Sequence, residues 1–375
     1  MGTFVIGFDL GKEYSQICCW NEKSKEPVSV AVEPGTEKYR IPTETTEAFL
    51  KKAMRLLKPY GKIHEAAAVV FCVEQADEQT AAELRRAAMQ MIGIPESRIF
   101  VQSREESFCA YVLHQPREIW RHQSVLFTCE GGELRSAVLN VNGRTIPAMA
   151  RAEKEEKWQT GLGDYTNGEK GLVLSGIARD IFGGRPVSSV FLVGEGFDGK
   201  WYEESLKILC SAGKRVFAGN NLFAKGACYR AMEELKNPEE RSYVFLGEDK
   251  IPYNVGIRTP GTGKDSLYTL LNAGTSWYEA KAQCEALLLD EPVLEFILKP
   301  MQGNMTLKES LELTGIPERP SRTTRLQIFV EFEGVEKLRI EVRDLGFGEL
   351  FPSSDMVWNE TVDLSQEGGA RVWEQ

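Results

Sequence analysis

Eleven residues near the N-terminus, Val5-Ile6-Gly7-Phe8-Asp9-Leu10-Gly11-Lys12-Glu13-Tyr14-Ser15, have the types and order that can hold a phosphate. An apolar run enters Asp-Leu-Gly and turns back through polar residues toward a second apolar run at 16–20. Such a hairpin offers consecutive backbone N–H groups to phosphate oxygens, and an Asp at its start can act through a metal-bound water. A second strand–turn–strand follows roughly 120 residues on, where 124–127 and 134–141 flank Glu130-Gly131-Gly132-Glu133. Glycine after a strand also serves as a plain turn, so the elements around the two hairpins decide what they mean.

Those elements read as α/β from residue 1 to about 237. Residues 66–73 (AAAVVFCV) are a wholly apolar strand of the kind buried on both faces. Residues 77–93 read as a helix, with Asp77 as N-cap, Leu84, Ala88, Met91 and Ile92 on one face, and Gly93 as its end. A strand at 98–102, a helix from about 105 to 114 and the breaker Pro116 follow. After the second hairpin come a helix at 168–182, an apolar strand at 189–193 ending in Gly194-Glu195-Gly196, a helix at 201–209, a strand at 214–217 and a helix at 223–235. In that last helix Ala224, Ala227 and Ala231 occupy close-packing positions. Two halves that each begin with a strand–glycine turn–strand and end in helices describe an internal duplication. From Arg241 onward short alternating segments with turn signals read as all-β.

Composition narrows the function classes. The 375 residues leave room for two or three domains, and a net charge of −10 disfavours nucleic acid and anionic membranes as partners. No run approaches eighteen apolar residues, and the charged strand pattern of residues 1–20 is neither a membrane span nor a signal peptide. The eight cysteines (18, 19, 72, 109, 129, 210, 228, 284) lie mostly in apolar runs without any CxxC, as reduced core residues of a cytoplasmic protein would. The histidines at 64, 114 and 122 have neither metal spacing nor a nucleophile partner. Pro260-Gly261-Thr262-Gly263-Lys264-Asp265 fails as a P-loop, since Arg258 stands where its first glycine belongs and no helix follows.

The order of elements resembles the actin/sugar-kinase/Hsp70 ATPase superfamily, and within it the Hsp70 family. Residues 4–14 resemble the phosphate-1 motif, 125–139 occupy the phosphate-2 place, 190–196 look like the adenosine motif, and 220–227 (NNLFAKGA) match the closing Ala/Gly-rich helix. Residues 68–93 and 98–113 are similar to the intervening strand–helix segments of Hsp70. Residues 242–248 resemble its apolar, acidic-ended linker, 252–261 the first strand of its substrate-binding β-sandwich, and 310–344 a hairpin of that sandwich after a Gly-Ile-Pro turn. The resemblance therefore implies a duplicated actin-like (RNase H-like) ATPase fold over 1–238, with lobe I at about 1–122 and lobe II at about 123–238. A linker at 239–250, an Hsp70-type β-sandwich at 251–365 and a tail at 366–375 complete the expected order. Only about 45 residues separate the first hairpin from Ala66, and about 30 separate Val138 from Gly168, so the two outer subdomains should be reduced. The helical lid of Hsp70 is not expected after the sandwich, which implies fast, weak client binding.

The resemblance also assigns roles. ATP or ADP with Mg2+ would lie against Gly11, Lys12, Glu13, Tyr14, Gly131, Gly132, Gly194 and Gly196, with Asp9 on the metal through water. The departures argue with equal force for no nucleotide. Lys12-Glu13-Tyr14 replaces small residues, Thr128 replaces the phosphate-2 Asp, Glu130 and Glu133 add carboxylates, and Gly194-Glu195 stands where two glycines are expected. The carboxylate after the connecting strand falls on Ser103, or on Glu105 or Glu106 after a short shift. Phosphoryl transfer depends on cancelling negative charge, so weak or lost hydrolysis, a pseudo-ATPase, is expected. In the sandwich a peptide or protein client would meet Ile257, Thr259, Pro260, Cys284, Ala286 and Val293 or Leu294. The functional expectation is thus a chaperone-type or adaptor protein. An active ATP-dependent chaperone and a non-enzymatic actin-like scaffold are the alternatives.

Overall fold

The computed structural model describes residues 3–42, 45–219, 221–237, 240–260, 266–289, 291–302 and 306–365. Residues 261–265 of the P-loop-like run, Asn220 of the closing-helix motif and the tail at 366–375 lie outside the described residues. Packing divides the chain into two units, Met1–Phe245 and Leu246–Gln375.

The first half of unit one runs β1 (Val5–Leu10), β2 (Tyr14–Asn21), β3 (Glu26–Ser29), β4 (Ile41–Pro42), α1 (Thr46–Leu56), β5 (Ala68–Val73), α2 (Glu78–Ile92), β6 (Ile99–Ser103) and α3 (Arg104–Leu113). Its sheet is ordered β3-β2-β1-β5-β6, with β1 antiparallel to β2 and parallel to β5. Every residue of β5 is buried, as its unbroken apolar run requires. The Asp77 carboxylate accepts the Thr80 N–H (2.8 Å) at the start of α2, and Gly93 ends the helix at φ +75°.

The second half repeats the plan with β7 (Gln123–Glu130), β8 (Glu133–Asn142), β9 (Ala148–Lys154), β10 (Thr160–Gly161), α4 (Asn167–Phe182), β11 (Val187–Val193), α5 (Leu206–Leu209), β12 (Arg215–Ala218), α6 (Leu222–Glu234) and β13 (Tyr243–Phe245). Here the order is β12-β11-β7-β8-β9-β13, with β7 antiparallel to β8 and parallel to β11. In each half a central strand carries a glycine hairpin on one side and two parallel strands on the other. Even the short strands correspond, since β4 pairs with β2 and β10 pairs with β8. The duplication inferred from the sequence is therefore present as matching strand order and direction.

Three segments differ from the sequence reading, the first being α1, for which that reading named no element. Residues 201–209 form a 3-10 stretch, Trp201–Ser205, followed by one α-turn. The expected linker at 239–250 contains β13, which pairs parallel with β9, Tyr243 opposite Ala148. Tyr243 and Phe245 are 3% and 4% exposed, so the apolar residues read as a linker are core.

Helices α3 and α6 exchange partners between the halves. Phe108 of α3 packs edge-on against Phe191 of β11, while α6 packs on β1, β2 and β5. Small residues permit the crossing. A Cβ on Gly226 would stand 1.9 Å from the Ser107 carbonyl oxygen, and one on Gly7 would stand 2.4 Å from that of Ala224. The crossing places the N-termini of both helices beside the two hairpins.

Unit two is all-β, comprising β14 (Tyr253–Thr259), β15 (Ser266–Leu271), β16 (Lys281–Leu288), β17 (Val293–Pro300), β18 (Leu307–Glu312), β19 (Thr324–Gly334), β20 (Lys337–Gly346) and β21 (Val357–Asp363). Two antiparallel sheets, β15-β14-β17-β18 and β16-β19-β20-β21, enclose one hydrophobic core. Leu326, Ile328, Val330 and Phe332 on β19 face Leu338, Ile340 and Val342 on β20 within it, the period-two pattern of a half-buried hairpin. Among the described residues no helix is long and apolar enough to cross a membrane.

Candidate functional site

The two hairpins converge on a cleft in unit one, lined by Asp9, Gly11, Tyr14, Thr128, Gly131 and Gly194 among others. Each turn has a local reason for its glycines. Gly131 and Gly132 form a two-residue loop with φ of +56° and +76°, the backbone that a tight antiparallel hairpin needs. A Cβ on Gly11 would stand 2.3 Å from the Tyr14 carbonyl oxygen and 3.2 Å from Arg104 Nη2.

A cation of the chain's own sits between the hairpins. Arg104, the first residue of α3, is 8% exposed. Its Nη1 donates to Glu130 Oε2 at the end of β7 (2.5 Å), and its Nη2 lies 3.5 Å from Asp9 Oδ1 on β1. Its guanidinium carbon lies 4.9 Å from the centre of the Phe223 ring on α6. Burial opposes the Arg104 charge, but Asp9 and Glu130 more than restore it and raise its pKa. Burial pushes Asp9 up to about 6 against the pull of Arg104, with the Glu130 charge adding to the rise. The guanidinium is shared unequally, closer to Glu130, and Asp9 is left the less compensated carboxylate.

The loop amides and the rim are also engaged. Glu195 Oε1 accepts the Gly131 N–H (2.7 Å), so a carboxylate occupies a donor that a phosphate oxygen would require. Arg40 donates twice to Asp198, at 2.5 and 3.0 Å, from one lobe to the other. Glu74 pairs with Arg135 and with Lys12 (3.2 Å), and Arg135 also meets Glu133 (2.5 Å). Glu74 is partly buried, yet those two cations hold its carboxyl below the usual range. Arg104–Glu130, Arg40–Asp198 and Glu74–Arg135 each cross the cleft.

These residues do not fit a magnesium nucleotide. The cleft lining carries six carboxylates against four cations, which repels a polyphosphate. Its volume of about 220 Å3 lies below the roughly 300–1,000 Å3 of ordinary ligand pockets. The Asp9 carboxylate faces Arg104 where a metal-bound water would be needed. Ser103 caps α3 by accepting the Glu106 N–H (3.2 Å), Glu105 pairs with Lys154 (3.3 Å) in a neighbouring cavity, and Glu106 pairs with Arg230 (3.4 Å). Neither shifted carboxylate joins Asp9, and no metal-ligand cluster of three His, Cys, Asp or Glu occurs among the described residues.

The structure brings Asp9, Gly11, Lys12, Glu13, Tyr14, Thr128, Gly131 and Gly194 to the cleft wall, without Gly132 or Gly196. Gly196 packs on Cys129, where a Cβ would stand 2.2 Å from Sγ. Sequence reasoning missed Arg104. The available signal was a basic residue in the first turn of a helix, where the macrodipole disfavours it, beside a buried Asp.

In unit two the client-site residues do not converge on one open surface. Ile257 and Leu294 are 5% and 9% exposed in the core, and Cys284 and Ala286 of β16 pack against that core. Thr259 Oγ1 donates to the Ser266 carbonyl (3.1 Å), and Pro260 is exposed beyond it. Val293 lines a groove of about 610 Å3 with Leu313, Ile316 and Pro317 of the Gly-Ile-Pro turn.

A profile described as the C-terminal part of a family of unknown function (DUF5716) matches residues 31–248, and one described as a domain of unknown function (DUF8552) matches residues 250–364. No curated protein matches the chain. Among solved structures, the ROK hexokinase of Thermus thermophilus is 15% identical at a TM-score of 0.39, over 62% of this chain and all of that one. The inorganic polyphosphate/ATP-glucomannokinase of Arthrobacter sp. strain KM is 14% identical at 0.41, over 62% of this chain and 99% of its own. Component A of the Acidaminococcus fermentans (R)-2-hydroxyglutaryl-CoA dehydratase is 12% identical at 0.36, over 63% and 100%. The duplicated fold described above rests on strand order and register, independently of these scores.

Proposed function

This chain belongs to the DUF5716 family of unknown function, and on that footing we propose that it is a non-hydrolysing relative of the actin-like ATPases, an adaptor that engages an extended protein segment. One observation carries the reading: Arg104 stands between Asp9 and Glu130 where nucleotide chemistry needs a metal and its waters. A fixed guanidinium supplies positive charge but has no exchangeable coordination position, so it organises the lobes and activates nothing. Three cross-cleft ion pairs and the Glu195 carboxylate on Gly131 support the same role, that of a closed scaffold.

The partner-binding half of the proposal is an Hsp70-like role for unit two. It is supported by two antiparallel sheets around one core and by the groove beside Gly315-Ile316-Pro317, whose lining of Val293, Leu313 and Ile316 suits the side chain of an extended peptide.

Calorimetry of the full chain with MgATP tests the first half. No saturable heat below millimolar nucleotide and no phosphate release are expected. Micromolar binding with turnover lost in Asp9→Ala would instead establish an active ATPase. For the second half, the full chain on a peptide array should retain apolar-centred extended peptides and lose them in Val293→Asp. Uniform failure of the wild-type chain would leave the scaffold role.

A further inference from the structure

The two sheets of unit two end in the edge strands β15, β18, β16 and β21. Three of these edges are guarded. β18 sets Glu309 opposite the buried Phe296, and β21 sets Glu360 opposite the buried Ile340, so each carries a carboxylate on its inward side. β15 has a register shift against β14 at Val255/Gly256. Inward charges and bulges are devices that deter one sheet from adding to another. β16 has no proline, no inward charge and no register shift. Its inward residues Ala282, Cys284, Ala286 and Leu288 are only half-buried, whereas Leu326, Ile328 and Val330 on β19 beside them are wholly buried.

One hydrogen bond fixes which backbone groups of β16 are unpaired. The Phe332 N–H donates to the Ala280 carbonyl (3.0 Å), and the register continues without a shift to Leu288 opposite Thr324. Bonded pairs alternate along an antiparallel ladder, so the even-numbered residues turn their backbone groups to β19. Lys281, Gln283, Glu285 and Leu287 turn theirs away, to a side that no strand occupies among the described residues. All four side chains are exposed, Leu287 at 47%.

We propose that this edge pairs with the same edge of a second copy of the chain, antiparallel about a two-fold axis at Cys284. Inward residues have to oppose inward residues, which leaves every second register. With Cys284 on the axis, Lys281 opposes Leu287 and Gln283 opposes Glu285, so all four outward backbones of each strand are bonded. The next register on either side leaves only three bonded pairs within the strand, and one of the two sets Glu285 against itself. In the full register Lys281 also lies diagonal to Glu285 of the second copy, within reach of a long side chain, while its stem covers the exposed Leu287. The contact is thus self-complementary in charge, as an isologous interface requires. It rests on neither nucleotide nor client, since β16 is outside the cleft and shares only Leu288 with the Val293 groove.

Sedimentation equilibrium of the full chain under reducing conditions tests it, and a dimer dissociating in the micromolar range is expected. Gln283→Pro removes a donor that faces away from β19, which an edge strand tolerates. Leu287→Lys sets a like charge against Lys281, and carries the test should the proline variant unfold. Each should raise the dissociation constant at least tenfold, with circular dichroism and thermal midpoint unchanged at concentrations where the wild type is monomeric. In a Cys210→Ser background, which lacks the exposed thiol, diamide should join Cys284 to Cys284 of the second copy. Directly opposed, non-bonded residues have Cα atoms about 4.5 Å apart, within disulfide range. A chain that stays monomeric into the millimolar range overturns the proposal. So does a dimer that both variants leave unchanged, or one that diamide does not cross-link at Cys284. A monomer that loses extended peptides in Gln283→Pro would give the edge to a foreign segment, and overturns it as well.

Discussion

Arg104 and Glu130 meet across 2.5 Å, joining the buried first residue of α3 to the half-buried last residue of β7 on the wall of the cleft. Removing one partner of a buried pair leaves an uncompensated charge, which costs about 3–5 kcal/mol. Arg104→Gln strands the buried Asp9 but leaves the one-third-exposed Glu130 to water, so the loss should fall at the lower end. Urea unfolding followed by tryptophan fluorescence should show a lower midpoint for unit one at an unchanged slope. The triple variant Arg104→Met, Asp9→Asn, Glu130→Gln should recover most of the loss, since an apolar replacement of a buried ion cluster is often neutral. A cost below about 1 kcal/mol for Arg104→Gln, the level of an exposed pair, would mean that the guanidinium does not hold the hairpins together.

Asp9 sets a pH dependence of unusual sign. Its pKa is raised from 3.8 to about 6 in the folded chain, so the fold binds the proton more tightly than the unfolded state does. The stabilising contribution is fully present below about pH 4 and is lost as pH rises through 6, with a ceiling of about 3 kcal/mol. Carboxylates with lowered pKa values act in the opposite sense at lower pH, so the difference between wild type and Asp9→Asn isolates the effect. The stability gained by Asp9→Asn should grow between pH 4 and pH 7. A difference that stays flat over that range would show that Asp9 titrates normally.

The parts of this molecule that the sequence disclosed are those whose causes are local. The unbroken apolar run of β5, the Asp77 and Gly93 caps of α2, the Gly131-Gly132 turn and the alternation of β19 and β20 each follow from neighbours a few residues away. The site was only half legible for the same reason. Asp9 and Glu130 are conspicuous beside their glycines, but their shared partner Arg104 belongs to a different element, and Glu195 reaches Gly131 across 64 residues of chain. Residues 243–245 read as a linker because their apolar alternation is the same whether the segment crosses solvent or pairs with β9. Helix α1 was missed although its period was legible, since Phe49, Leu50, Ala53 and the C-cap residue Leu57 fall at helical spacing on one buried face.

In unit two a bidentate pair anchors the Gly-Ile-Pro turn to the sheet. Arg319 Nη1 and Nη2 donate to the two Asp344 oxygens at 2.8 Å each, and Asp344 also accepts the N–H groups of Gly346 (2.8 Å) and Ser354 (2.9 Å). These donors outweigh burial and hold the Asp344 carboxyl well below the usual range. Its contribution is therefore present above about pH 4, the unfolded value, and is lost as pH falls below that. Asp344→Asn should destabilise unit two by about 3–5 kcal/mol, measured as a lowered urea midpoint at pH 7. The deficit should shrink as the comparison is moved to pH 3. An equal deficit at both pH values would assign the loss to packing and not to charge.

Helix propensity and packing make opposite predictions at Gly226, which separates them. Alanine is the better helix former by about 1 kcal/mol, so propensity alone expects Gly226→Ala to stabilise α6. The crossing with α3 decides otherwise, because the new Cβ would stand 1.9 Å from the Ser107 carbonyl oxygen, a backbone atom that cannot rotate away. Overpacking of this kind costs about 1–3 kcal/mol or more, so Gly226→Ala should lower the thermal midpoint of unit one. Gly176 in the middle of α4 is the control, exposed and with nothing within 4 Å of the place its Cβ would take. There alanine should raise the midpoint by the amount propensity expects. Should both substitutions stabilise, α3 and α6 would not cross at Gly226, and the exchange of helices that positions Arg104 in the cleft would have no basis.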